Sequence, residues 1–165
     1  MTEGADDRRG CRELLNSLGN LDTETIRETD WRDFEGACAG LLSENGYRAQ
    51  RNVWFSTPDR RYQIDVVGLG LRRVICIDCK AWTTGGGSSR SRSAVRDQKE
   101  RTVQFKRWGS HRGIADEERA PFYPLIVTLR NEDLVLHRGV AVVPFEMLNR
   151  FLLDFHQHEA GLFSA

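Results

Sequence analysis

The stretch QIDVVGLGLRRVICIDCKAW, residues 63–82, holds two apolar runs with charge placed inside them. Asp65 interrupts the first run, and Asp78 and Lys80 close the second. Both runs are rich in Val and Ile, the residues that suit a pleated, half-buried surface. Residues two apart in a strand share a face, so Asp78 and Lys80 point the same way. Gly68 and Gly70 suit a tight connection. A hairpin then sets Asp65 beside the other two. Charge buried in a sheet is costly unless it is paired or holds a metal. Two carboxylates and an ammonium at one sheet edge can bind a divalent cation and handle a phosphate.

The pattern extends outward on both sides. Before the hairpin, Trp31, Phe34, Cys38, Leu41 and Leu42 recur at helical spacing, which predicts a helix over 31–45. Asp30 is its expected N-cap and Gly46 its stop. Glu35 falls on the apolar stripe, either pointing inward or reaching solvent at the stripe's edge. Strands are expected over 47–55, 61–68 and 73–80, with STPDR (56–60) turning between the first two. Residues 83–93, TTGGGSSRSRS, read as a flexible loop. A helix over 93–108 follows, with Val95, Gln98, Thr102 and Phe105 on one face. Further strands are expected over 122–130, 134–137 and 140–143. Pro144 then opens an amphipathic helix whose Phe145, Leu148, Leu152 and Phe155 face inward. The order αβββαβ with a C-terminal strand-helix addition predicts an α/β domain, a mixed sheet flanked by helices. Residues 1–29 are expected to form a peripheral segment, with a weak helical pattern at Leu14, Leu15 and Leu18, and 30–165 one domain.

At 165 residues, 39% apolar and 29% charged, the chain suits one soluble globular domain with a real core. It has no apolar run of membrane-spanning length and no secretory signal pattern, so the expected location is cytoplasmic, with no membrane partner. Net charge is zero, which argues against a strongly basic nucleic-acid binder. Charge is uneven, however. Residues 1–36 carry ten acids and five bases, while 86–113 carry eight bases and two acids. Such a patch suits phosphate, or is simply a solvated helix face and loop.

Cys76 and Cys79 form a CxxC, but residues three apart in a strand point to opposite faces. Buried thiols are expected there rather than a zinc or redox pair. The four histidines show no metal-site spacing. GLG (68–70) is too short for a phosphate loop, so no nucleotide cofactor is expected.

Glu35 on a helix, Asp65 on a strand, Asp78-Cys79-Lys80 on the next strand and Gln98 on the following helix resemble the PD-(D/E)xK nuclease superfamily, with its restriction-endonuclease-like fold. Within it, DFEGACAGLLSENGYRAQ (33–50) resembles the Mrr-like endonucleases and the archaeal Holliday-junction resolvases. The resemblance covers roughly residues 30–110. Ile64 stands where the nominal motif has proline. The resemblance implies a Mg²⁺-dependent DNA endonuclease in which Mn²⁺ can substitute. Asp65, Asp78 and the Cys79 backbone carbonyl would ligate the metal, with Glu35 acting through water or on a second ion. Lys80 would orient the attacking water, and Gln98 would position Lys80 or a water.

Arg90 and Arg92, with Arg96 and Lys99 on the helix beyond, are the expected phosphate contacts to DNA. Trp82 either stacks on a base or packs at the sheet end. The segment FLLDFHQHEAGLF (151–163) either closes the core or furnishes a homodimer interface. No separate recognition domain fits in this length, so structure-guided cutting is expected over tight sequence specificity. Two alternatives stay open: a nuclease-like module that binds DNA or a partner without cutting, and a nuclease acting on RNA.

Overall fold

The computed structural model describes residues 28–70, 72–82, 88–110, 112, 120–129 and 134–165, with the backbone course alone for 28–31 and 88–90. Helix α1 (Glu28–Glu44) leads into strands β1 (Arg48–Ser56), β2 (Arg61–Leu69) and β3 (Val74–Lys80). Helix α2 (Ser88–Ser110) crosses to β4 (Phe122–Thr128). The hairpin β5 (Val135–His137) and β6 (Val140–Pro144), helix α3 (Phe145–Leu153), a turn α4 (Phe155–His158) and a 3-10 turn Glu159–Gly161 complete the order. The six strands form one sheet in the order β1-β2-β3-β4-β6-β5. β1, β2 and β3 are antiparallel neighbours, β4 runs parallel to β3 and to β6, and β5 is antiparallel to β6. The expected mixed α/β architecture is what forms.

Helices cover both faces. Phe34, Cys38 and Leu42 of α1 and Phe145, Leu148 and Phe151 of α3 pack with Ile75, Ile77, Cys79, Leu125 and Val127. On the opposite face Phe105 of α2 packs with Ile64, Val67, Val74, Cys76 and Phe122. Val95 of α2 packs with Ile126 and Val140. Fully burying each such side chain contributes about 1.5–3 kcal/mol before chain entropy is charged against it. Strands β3 and β4, covered on both sides, read as near-continuous apolar runs for that reason.

Several local expectations hold. Gly46 (φ +85°) ends α1, with Gly46 N–H donating to the Ser43 carbonyl and Tyr47 N–H to that of Leu42. This is the double bond of a left-handed helix stop. Gly70 lies at the connection of β2 and β3, its N–H donating to the Arg73 carbonyl, and a Cβ there would lie 2.8 Å from the Tyr47 ring; Gly68, expected in that connection, is inside β2 opposite Ile75. Cys76 and Cys79 are buried on opposite faces, as the strand period requires. Phe151, Leu152 and Phe155 close the core. Trp82 packs against the cluster of Val95, Ile126 and Val140.

Two boundaries differ. Helix α1 begins at Glu28, so Asp30 lies in the first turn rather than at the cap. Helix α2 begins at Ser88, so residues 88–92, expected as loop, are helical. Serine and arginine are compatible with a helix start, and composition alone did not separate them from the glycines before them. The expected helical pattern at Leu14, Leu15 and Leu18 and residues 83–87 of the expected loop lie outside the described residues.

Candidate active site

Strands β2 and β3 part at the site. Their ladder runs from Leu69–Val74 to Val66–Ile77 and stops one step short of pairing Asp65 with Asp78. On the other flank β1 pairs with β2 at Arg51–Val66 and Val53–Ile64, leaving Asn52 and Asp65 opposite but unpaired. Asn52 has φ +50°, a left-handed conformation that asparagine tolerates better than most residues. The alternation of faces slips here: Ile64 packs on the α2 side and Val66 on the α1 side. Asp65, between them, reaches toward β3. The Cys79 backbone N–H donates to Asp65 Oδ2 at 2.8 Å. A side chain thus takes the place of a ladder bond where the strands diverge.

Asp78 lies on the α2 side and is 4% exposed. Lys80 Nζ donates to Asp78 Oδ1 at 3.1 Å and lies 2.9 Å from Oδ2. The approach to Oδ2 is an ion-pair contact with poor hydrogen-bond angles, so Oδ2 remains a buried oxygen with no aligned donor. Arg101 of α2 also reaches Oδ1, at 2.9 Å. Gln98, fully buried, donates through Nε2 to the Cys76 carbonyl at 2.8 Å and accepts from Arg101 at 3.4 Å. Its hydrogen bonds therefore steady β3 and Arg101; the expected contact was with Lys80 or a water. Glu35 is buried on α1, confirming the inward stripe position, with Arg51 Nη2 3.8 Å from its Oε2. Arg51 also donates to the Arg32 carbonyl at 2.7 Å.

The electrostatics single out Asp65. Burial, opposed by the hydrogen bond from Cys79 N–H, pushes the Asp65 carboxyl up to about 6. Asp78 and Glu35 add repulsion, and Lys80 offsets part of it. Among the described residues Asp65 forms no ion pair. The Cys79 thiol is raised by its hydrogen bond to Cys38, at 3.9 Å, and by burial, and burial pushes Cys76 to about 12. Burial thus disfavours the thiolate form of both.

A hard cation suits the carboxylates. Asp78 keeps a buried oxygen without an aligned donor, and Asp65 is a partly buried acid with no ion pair among the described residues. Among the described residues no three His, Cys, Asp or Glu side chains converge as a ligand set. An ion would therefore draw on these two carboxylates, with carbonyl and water oxygens for the rest.

The expected phosphate contacts are dispersed. The Arg90 side chain lies outside the described residues. Arg92 is exposed on α2, and Arg96 pairs with Asp97 at 3.2 Å. Lys99 sits over the Phe163 ring at 4.6 Å. Reading along the sequence missed Arg101 and Arg51 as site residues. Arg101 follows Gln98 by three, one helical turn, and that spacing was the available signal.

Residues 26–107 match the family model described as restriction endonuclease, Mrr_cat. The chain belongs to the restriction-endonuclease-like, PD-(D/E)xK superfamily. An uncharacterized protein of Archaeoglobus fulgidus is 26% identical over 127 residues, covering 76% of this chain and 92% of that protein. A crystal structure of protein VC1899 from Vibrio cholerae aligns over 83% of this chain and 37% of that one, with 14% identity and a TM-score of 0.44. This chain thus spans little more than a third of that protein. In this restriction-endonuclease-like domain Asp65, Asp78 and Lys80 fall within the matched residues, as do Glu35, Gln98 and Arg101. Among the described residues no helix is long and apolar enough to cross a membrane.

Proposed function

We propose that this chain is a metal-dependent endonuclease that hydrolyses DNA phosphodiester bonds, of the Mrr or resolvase type. The observation that carries the reading is the gathering of Asp65, Asp78 and Lys80 where β2 and β3 part, inside a segment matching the restriction-endonuclease family. Asp65, Asp78 and the Cys79 carbonyl are the proposed ligands of Mg²⁺, or Mn²⁺ in its place, with Glu35 acting through water. The ion would supply Lewis-acid activation of water and neutralisation of phosphate charge. Lys80, 30% exposed at the site's mouth, holds the attacking water and the phosphate oxygen in place. Gln98 keeps β3 and Arg101 in register, and so steadies the strand whose Asp78 would hold the ion. Arg92 and Arg96, with Arg90 and Lys99, are proposed to meet the DNA backbone along α2. Residues 30–165 are read as one nuclease-like unit, working in the cytoplasm, with pairing of two copies as the route to cutting both strands.

A second reading is a domain that binds nucleic acid without cutting. It is favoured by the charge balance at Asp78, which already meets both Lys80 and Arg101. Incubation of supercoiled plasmid with Mg²⁺, with Mn²⁺ and with EDTA separates the two. The endonuclease reading expects nicked and linear plasmid with either ion, none in EDTA, and none from Asp78→Ala or Lys80→Ala. Retention of plasmid in gel shifts without cutting by the wild type supports the second reading. Equal cutting by both variants assigns the activity to a contaminant. Matched DNA and RNA oligomers report the nucleic acid preferred.

A further inference from the structure

Three acids and three bases meet around the site, and they are matched unevenly. Asp78 holds Lys80 and Arg101, and Glu35 faces Arg51. Asp65 has only a backbone N–H. The charges of the resting site therefore cancel, which is a poor setting for a dication: each Asp78 oxygen offered to an ion must first lose a cation or tolerate one beside it. Lys80 is fixed to the same strand, two residues from Asp78. Arg101 is different. It comes from α2 on a long side chain, is 25% exposed, and touches Asp78 and Gln98 through one nitrogen; its other guanidinium donors meet no acceptor among the described residues and can engage an oxyanion.

Resting on the nuclease reading above, we propose that Arg101 is an exchangeable counter-ion: it holds Asp78 in the empty site and passes to a DNA phosphate when a divalent ion takes the carboxylate. Arg101 is then a positioning and phosphate-binding residue, and its exchange couples the two ligands. The ion frees the arginine for phosphate, and phosphate draws the arginine off the ion's ligand. Coupling of this kind is reciprocal, so DNA must tighten ion binding by the factor by which the ion tightens DNA binding. Gln98 Oε1, 3.4 Å from the guanidinium, gives the side chain a second anchor and limits its swing to the mouth of the site.

The test measures Ca²⁺ binding by calorimetry with and without a short duplex, and duplex binding by fluorescence anisotropy in Ca²⁺ and in EDTA, with a gel to confirm intact DNA. Wild type should bind Ca²⁺ weakly alone and more tightly with duplex. Arg101→Gln should bind Ca²⁺ about tenfold tighter without DNA, as removal of a cation 2.9 Å from the ligand oxygen implies, and should lose the coupling. Arg101→Lys, which keeps the charge, should follow wild type for Ca²⁺ alone. If Arg101 merely braces Asp78, Arg101→Gln binds Ca²⁺ no better or worse than wild type, and the exchange is overturned. Absence of reciprocal coupling in wild type overturns it as well, without recourse to any variant. These readouts need no cleavage, so an uncut plasmid would sink the endonuclease reading while leaving this exchange to stand or fall by itself.

Discussion

Asp65→Asn should make the metal-free protein more stable at neutral pH. The carboxyl is raised from 3.8 to about 6, chiefly by burial. A raised acid favours the protonated fold, so the sign is fixed. Below about pH 4 Asp65 is protonated in both folded and unfolded chains and costs nothing. Above about pH 6 it is ionised in both, and the fold bears the full penalty. At about 1.4 kcal/mol per pH unit the gap corresponds to roughly 3 kcal/mol. Partial exposure of the side chain reduces the expectation to about 2 kcal/mol. Asparagine keeps an oxygen to accept the Cys79 N–H, so the 2.8 Å bond survives the change. For a chain of this size the gain is about 4–8 °C in Tm. The assay is thermal and urea denaturation in EDTA from pH 4 to pH 8, with both proteins side by side. The variant's advantage should grow from near zero at pH 4 to its plateau above pH 6. A variant less stable than wild type at pH 8, or an advantage independent of pH, would refute the assignment of Asp65 as a carboxylate held at a cost by partial burial. Added Mg²⁺ should stabilise wild type and leave the variant nearly unmoved.

Gln98→Leu leaves the Cys76 carbonyl without its side-chain donor and frees Arg101; chemical denaturation should show a loss of about 1–3 kcal/mol, and a neutral result would mean the buried amide is dispensable. Gly70→Ala forces a methyl to 2.8 Å from the Tyr47 ring and 3.1 Å from the Arg73 carbonyl, far from the acids. Its expected cost is about 1–3 kcal/mol of stability, with plasmid cleavage per folded molecule unchanged; lost cleavage at full stability would tie that turn to the site.

The sequence was most legible where one physical pattern acts over a short span. Apolar runs bounded by turn residues gave β1, β2 and β3 to within a residue or so at each end, and helical spacing put Phe34, Cys38 and Leu42 of α1 and Gln98, Thr102 and Phe105 of α2 inward. Pro124 shows how a local rule survives apparent conflict. A proline inside a buried strand forfeits a ladder bond. Here pairing of β4 with β6 begins only at Leu125, and on that flank Phe122 exchanges its backbone bonds with Ala165. The missing N–H falls between those partners.

By itself, then, the chain's pattern determined the elements, the faces they bury, and the placing of Asp65, Asp78 and Lys80 at one end of a hairpin. Those features follow from side-chain periods of 2 and 3.6, which act between near neighbours. Only the tertiary structure decided which charge answers which. Arg101 meets Asp78 across 23 positions, Arg51 faces Glu35 across a helix-strand boundary, and Lys99 turns to Phe163 instead of the site. Such pairings depend on where the ladder between β2 and β3 stops and how α2 lies on the sheet. A slip of one residue, or a rotation of one helix by a few tens of degrees, would exchange the partners while leaving the local pattern intact.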